Sequence, residues 1–144
     1  MEAPYLDTSA LAKWYINEPK SEELETYIRS RGTVVVSRLT SVEFRCLLAR
    51  RRRDRQISRP LEGQLFEAFE QDIREGFLSM KPLEDRHAAA VPGLIGKLPR
   101  HPLKSLDAMH LATASLLGCE ELATADRVMA RAAAELGFSV TRFD

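Results

Sequence analysis

Cysteine is nearly absent from this chain: Cys46 and Cys119 are the only two, far apart in sequence. They make no CxxC pair and no Cys/His metal spacing, which excludes a disulfide scaffold and a thiolate metal site. Each sits in apolar helical or helix-end context, so both are expected to be small buried thiols. Long apolar runs are missing too. No stretch approaches the ~20 residues needed to cross a bilayer, and no basic start with an apolar middle leads the chain, so the expected location is the cytoplasm. Net charge is absent as well: 21 Lys and Arg meet 21 Asp and Glu, which argues against nonspecific attraction to polyanions by the chain as a whole. Repeats, low-complexity tracts and linkers are not seen.

What is present is the composition of a globular protein, 44% hydrophobic and 29% charged over 144 residues. That length predicts one domain, 1–144, able to bury its own core. The charge is unevenly spread. Arg45, Arg50, Arg51, Arg52, Arg53, Arg55 and Arg59 crowd one stretch, while acids dominate 62–75. Such a run is either a solvated helix end, where positive charge favours the dipole, or a contact for the phosphates of a polyanion through Arg45, Arg50, Arg51, Arg52 and Arg53. Arg45, about a turn from Glu43, is alternatively a partner for a nearby acid.

Strand-like and helix-like segments alternate, which predicts an α/β domain with a mainly parallel sheet. Pro4-Tyr5-Leu6 reads as a short buried strand, and a helix follows over 8–15. A second helix is expected over 21–29, ended by Gly32. The β-branched run 33–36 is the strongest buried-strand signal, followed by a long helix over 39–53. Another helix runs over about 61–74, with Leu65, Phe66 and Phe69 on one face, before a candidate strand at 77–80. The helix over 84–98 should be kinked or split by Pro92-Gly93. A helix over 105–117, a weak strand at 121–124, a helix over 126–136 ended by Gly137 and a last strand at 138–141 complete the pattern.

Four acids stand where a strand or loop hands over to a helix: Asp7, Glu43, Asp107 and Asp126. Each has a bland explanation, because helix starts leave backbone N–H groups unpaired and favour negative charge. Asp7 and Asp126 suit N-caps, Thr40 with Glu43 suits a capping box, and Asp107 follows a possible Ser105 cap. Together they point elsewhere. Strand-to-helix turns of a parallel sheet emerge on one edge, so Asp7, Glu43 and Asp126 are predicted neighbours. Neighbouring carboxylates repel unless a cation joins them, and hard oxygen donors select Mg²⁺ or Mn²⁺. Asp107 follows a proline-bearing loop, and spacing alone does not locate it.

Four blocks carry a resemblance: Tyr5-Leu6-Asp7-Thr8-Ser9-Ala10-Leu11, the stretch 40–44 around Glu43, Leu106-Asp107-Ala108-Met109-His110-Leu111-Ala112-Thr113-Ala114, and Thr124-Ala125-Asp126. In this order and spacing the chain resembles PIN-domain ribonucleases, specifically VapC-type toxins of type II toxin–antitoxin modules. The resemblance spans essentially the whole chain. It implies an αβα sandwich with a mainly parallel four- to five-stranded sheet, and an acidic pocket for one or two Mg²⁺ or Mn²⁺ ions. Asp7, Glu43 and Asp107 match the metal-binding catalytic acids, and Asp126 matches the fourth, whose role varies. Thr8, Ser9 and Thr124 match small polar positions that hydrogen-bond those acids. A homodimer, an antitoxin that places a basic side chain in the pocket, and RNA substrates, tRNA among them, are further implications.

The function expected is therefore metal-dependent hydrolysis of RNA by activated water, giving 5′-phosphate and 3′-hydroxyl ends. Two alternatives are weighed against it. A phosphatase with Asp7 as nucleophile is disfavoured because Ser9, not a second Asp, stands two residues on. A non-catalytic binding or regulatory module, in which the acids are caps only, predicts no stabilisation by metal. His110, three residues after Asp107, reads as a packed or hydrogen-bonded side chain rather than a ligand, and Trp14 and Tyr15 read as core.

Overall fold

A computed structural model describes residues 3–144. Its elements run in chain order as β1 (Tyr5–Leu6), α1 (Thr8–Tyr15), α2 (Ser21–Arg31), β2 (Val34–Ser37), α3 (Arg38–Arg53) and α4 (Arg59–Arg74), then β3 (Leu78–Lys81), α5 (Asp85–Gly96), α6 (Ser105–Leu116), β4 (Glu121–Thr124), α7 (Arg127–Glu135) and β5 (Ser139–Arg142). The strands form one parallel sheet in the order β3-β2-β1-β4-β5. β1 lies at its centre, with Tyr5 opposite Val35 on one side and Leu122 on the other.

Strand alternation decides which helices cover which face, because successive side chains point to opposite sides. Leu6, Val34, Val36, Leu78 and Ala123 face a core shared with α1 to α4. Tyr5, Val35 and Leu122 face the other core, with α6 and α7 and with Leu94 of α5. The result is the expected αβα sandwich. Burial on both faces explains why 34–36 is an unbroken β-branched run. On the first face, Tyr15, Phe44, Phe66 and Phe69 form an aromatic cluster, with Phe44 5.3 Å from Tyr15 and 5.4 Å from Phe69 between centroids. This cluster fixes α3, which carries Glu43, against α1 and α4.

Three expectations are corrected or narrowed. Of the two outcomes expected at Pro92-Gly93, a split does not occur: α5 is continuous through Pro92. Pro92 and Ala88 are both exposed, so the Ala88 carbonyl that loses its N–H partner faces water. Cys46 is exposed and Cys119 only partly buried. Phe44 and Leu48 take the buried stripe of α3, and position 46 falls outside it. The capping box of α3 starts three residues earlier than expected, with Ser37 as cap and Thr40 reaching back. Glu43 is thereby free of any capping duty.

Candidate active site

β1 runs between β2 and β4, and the chain moves to one side of it after β1 and to the other after β3. At such a switch point, crevices open beyond the carboxyl ends of the strands. Asp7 stands there, directly after Leu6, and caps α1 by accepting from the Ala10 N–H at 3.0 Å. Its Oδ1 also accepts from the Ser9 hydroxyl at 2.7 Å, and its Oδ2 accepts from Thr124 at 2.5 Å. Thr124 ends β4, so this last bond ties the two central strands together. Ser9 in turn accepts from the Ala125 N–H at 2.9 Å. Burial drives the Asp7 carboxyl above its ordinary range, against the opposing pull of the His110 charge and of these hydrogen bonds.

Glu43 enters from α3 and is met by two side chains from other elements. Thr8 donates to its Oε1 at 2.7 Å, and His110 Nε2 forms a short contact with the same oxygen. Burial pushes the Glu43 carboxyl up, but the hydrogen bond and charge of His110, with the Thr8 bond, outweigh it and hold the group below its usual range. The other ring nitrogen of His110, Nδ1, lies 2.6 Å from the Tyr5 hydroxyl, which donates to Ser37 Oγ at 2.9 Å. Burial holds the Tyr5 phenol far above its ordinary value, so that hydroxyl stays protonated.

Asp107 lies in the first turn of α6 and Asp126 caps α7, accepting from the Met129 N–H at 2.9 Å. Among the described residues the Asp107 carboxyl has no hydrogen-bond partner, and it is partly buried. Burial, then repulsion from Asp126 and Asp7, raises it above its ordinary range, with Glu43 adding to the effect and His110 opposing it. All four acids line one cavity of about 360 Å³, together with Thr8, Ser9, His110 and Arg50. Its remaining walls are Val42, Cys46 and Leu47 from α3 and Leu106 from α6, a largely apolar set.

The donor set fits a hard divalent cation, being carboxylate oxygens with their own charge uncompensated at Asp107. Among the described residues no three acids, histidines or cysteines are gathered tightly enough to close a cage. Hydrogen bonds hold Asp7, Glu43 and Asp126 in place, and Asp107 has none among the described residues, so an arriving ion would have to draw Asp107 in.

The arginine cluster divides. Arg50 reaches the cavity. Arg45 pairs with Glu62 at 3.0 Å rather than with a pocket acid, Arg52 joins the same carboxylate at 2.9 Å, and Arg51 pairs with Glu18 at 2.8 Å. Arg53 is exposed at the helix end and does not line the cavity. The pattern of the chain suggests His110 as a packed or hydrogen-bonded side chain but not its partners: Tyr5, two residues before Asp7, reads only as part of a buried strand, and nothing in the spacing joins it or Ser37 to His110.

The description of the PIN domain family matches residues 5–135. Ribonuclease VapC46 of Mycobacterium tuberculosis is 36% identical over 143 residues, covering 97% of each chain. The crystal structure of VapC20 from the same organism, described as a sarcin-ricin loop cleaving toxin, superposes with a TM-score of 0.67 at 16% identity, over 90% of this chain and 95% of that one. DNA-bound VapBC from Salmonella typhimurium gives a TM-score of 0.69 at 18% identity, with full coverage of both chains, 100% each. These two structures speak for the fold alone. With the family match spanning most of its length and a relative 36% identical over 97% of both chains, the chain belongs to the PIN-domain family and, within it, to the VapC proteins.

Proposed function

We propose that this chain is an endoribonuclease, the toxin of a type II toxin–antitoxin module, which hydrolyses RNA phosphodiester bonds at the acidic cavity with Mg²⁺ or Mn²⁺. The observation that carries this reading is the gathering of Asp7, Glu43, Asp107 and Asp126 from four separate stretches of chain around one cavity. Capping alone does not account for it. Asp7 and Asp126 do cap helices, but Glu43 and Asp107 cap nothing, and Asp107 pays a burial and repulsion cost without any hydrogen bond in return.

When bound, a divalent ion supplies an activated water and relief of negative charge on the phosphate. Asp7 and Asp107 are the residues to hold it. Asp7 is held rigid by Ser9, Thr124 and the Ala10 N–H, whereas Asp107 is unbonded and able to move toward a cation. Glu43 would coordinate the ion or orient the attacking water, and Asp126 would serve a second ion or its water shell. Thr8, Ser9 and Thr124 keep the acids aimed. Arg50, at the cavity edge, is the arginine placed to meet an RNA phosphate. Attack by water rather than by the ribose 2′-hydroxyl leaves 5′-phosphate and 3′-hydroxyl ends.

The same reading includes a cognate antitoxin that puts a basic side chain into the acidic cavity, a homodimer, small structured RNAs such as tRNA as substrates, and work in the cytoplasm. Among the described residues no helix is long and apolar enough to cross a membrane. The test is cleavage of RNA by the purified chain, with the termini of the products determined. Activity that needs Mg²⁺ or Mn²⁺, stops with excess EDTA and leaves 5′-phosphates supports the proposal; undiminished cleavage in EDTA, or 2′,3′-cyclic ends, refutes it.

A further inference from the structure

His110 is 1% exposed and Tyr5 is fully buried, yet both spend polar atoms in the interior. A leucine and a phenylalanine would fill the same space without that requirement. The polar atoms are not scattered. They form one line from the core to the cavity floor: Ser37 at the end of β2, the Tyr5 hydroxyl from β1, both nitrogens of the His110 ring from α6, and then Glu43 from α3. The rings of Tyr5 and His110 also meet edge to face at 5.7 Å, which fixes the imidazole plane.

The line ends on one particular atom. Glu43 Oε1 takes both the Thr8 hydroxyl and His110 Nε2, while Oε2 has no hydrogen-bond partner among the described residues. We infer that Tyr5 and His110 are positioning residues for Glu43: with Thr8 they occupy Oε1 and leave Oε2 as the oxygen presented to a cation or water in the cavity. Tyr5 acts through His110, since its hydroxyl holds Nδ1 and so sets the angle at which Nε2 meets the carboxylate. Loss of the Tyr5 hydroxyl frees the ring to tilt and the carboxylate to turn. Support of this kind commonly changes metal affinity by about ten- to a hundredfold when removed. The inference rests on the reading of the cavity as a metal site.

Mn²⁺ titration of the full chain, read as thermal stabilisation and in parallel as RNA cleavage, tests it. Tyr5→Phe is expected to weaken the apparent Mn²⁺ affinity about tenfold and to lower kcat with KM for RNA unchanged. In a Glu43→Gln background the same substitution should cost nothing further, because the group it orients is gone. His110→Gln, whose amide N–H can still reach Oε1, should retain more affinity than His110→Leu. If the unaltered chain is stabilised by Mn²⁺ and Tyr5→Phe binds it equally well, or loses the same factor with and without Glu43, the inference is wrong and the metal reading stands. If Mn²⁺ does not stabilise the unaltered chain, the metal reading fails and takes this inference with it.

Discussion

Asp7→Asn should reverse the order of stability between variant and parent according to whether metal is present. Asp7 is 3% exposed, and burial holds its carboxyl above the ordinary range, so the folded chain without metal favours a neutral group at this position. Asparagine keeps the size and is an equally good N-cap. Its Oδ1 retains the Ala10 N–H and the Ser9 hydroxyl. Its amide nitrogen replaces Oδ2, so the Thr124 hydroxyl must turn to accept rather than donate, while continuing to accept from the Asp126 N–H at 3.0 Å. One bond is reoriented and none is lost. In EDTA the variant should therefore melt at or above the parent. With Mn²⁺ at a hundred times its Kd, binding stabilises the parent by about 2.7 kcal/mol. For a chain of this length that is a rise of about 5–10 °C at roughly 2–4 °C per kcal/mol. The variant, lacking the ligand charge, should show little of that rise and almost no cleavage. Paired melts with EDTA and with Mn²⁺ decide the matter: a variant several degrees below the parent in EDTA, or lifted as far by Mn²⁺, refutes the reasoning.

Asp107→Asn should flatten the pH dependence of metal-free stability. The folded-state value of Asp107 lies above its unfolded value of about 3.9, so the folded chain retains a proton that the unfolded chain has released, and this share of stability falls as pH rises from about 4 through the raised value. The variant should lose less of its Tm than the parent between about pH 4 and pH 7 in EDTA; a steeper loss in the variant refutes the assignment. Arg50→Gln should weaken RNA binding across sequences and reduce the slope of log K against log salt by about 1, whereas Arg45→Gln, whose parent side chain is occupied by Glu62, should leave the slope unchanged. Equal slopes for the two variants in a binding titration over salt would count against the division of the cluster.

Much of the architecture was legible because local chemistry and tertiary packing agree. The run 34–36 is buried on both faces, and α1 begins at Thr8 because Asp7 caps it, as strand and cap chemistry require. A split at Pro92 is not seen because the rule about backbone hydrogen bonds does not know which side of a helix meets water. The capping box was misread because Thr40 fits two roles, cap or third residue, and only the extent of β2 to Ser37 separates them. Asp7, Glu43 and Asp126 could be anticipated as neighbours from strand order. Asp107 could not, since the loop before α6 has no periodicity to read. Nor could the fate of the arginines, which is decided by where Glu18 and Glu62 fall in space.

Capping would not rival the metal binding proposed for Asp7 and Asp126, and the reason lies in the fold. In a parallel sheet each strand delivers the chain to a helix start on one edge, where backbone N–H groups are unpaired and the dipole is positive. An acid there is stabilised by the cap and tolerates the neighbouring acids better than it would elsewhere. Asp126 spends Oδ1 on the Met129 N–H, which leaves Oδ2 without a hydrogen bond among the described residues. Asp7 has both oxygens bonded, so a cation must share lone pairs with hydroxyl donors that are able to rotate, Ser9 and Thr124. The cap thus fixes the direction of the carboxylate while leaving it chemistry to perform. Glu43 lies in the second turn of its helix, beyond the reach of a cap, and Thr8 and His110 hold it instead. Asp7 and Asp126 are aimed by their caps and Glu43 by Thr8 and His110, each according to its distance from a helix start, whereas Asp107, in a first turn with no hydrogen bond to its carboxyl among the described residues, is the one acid left to turn.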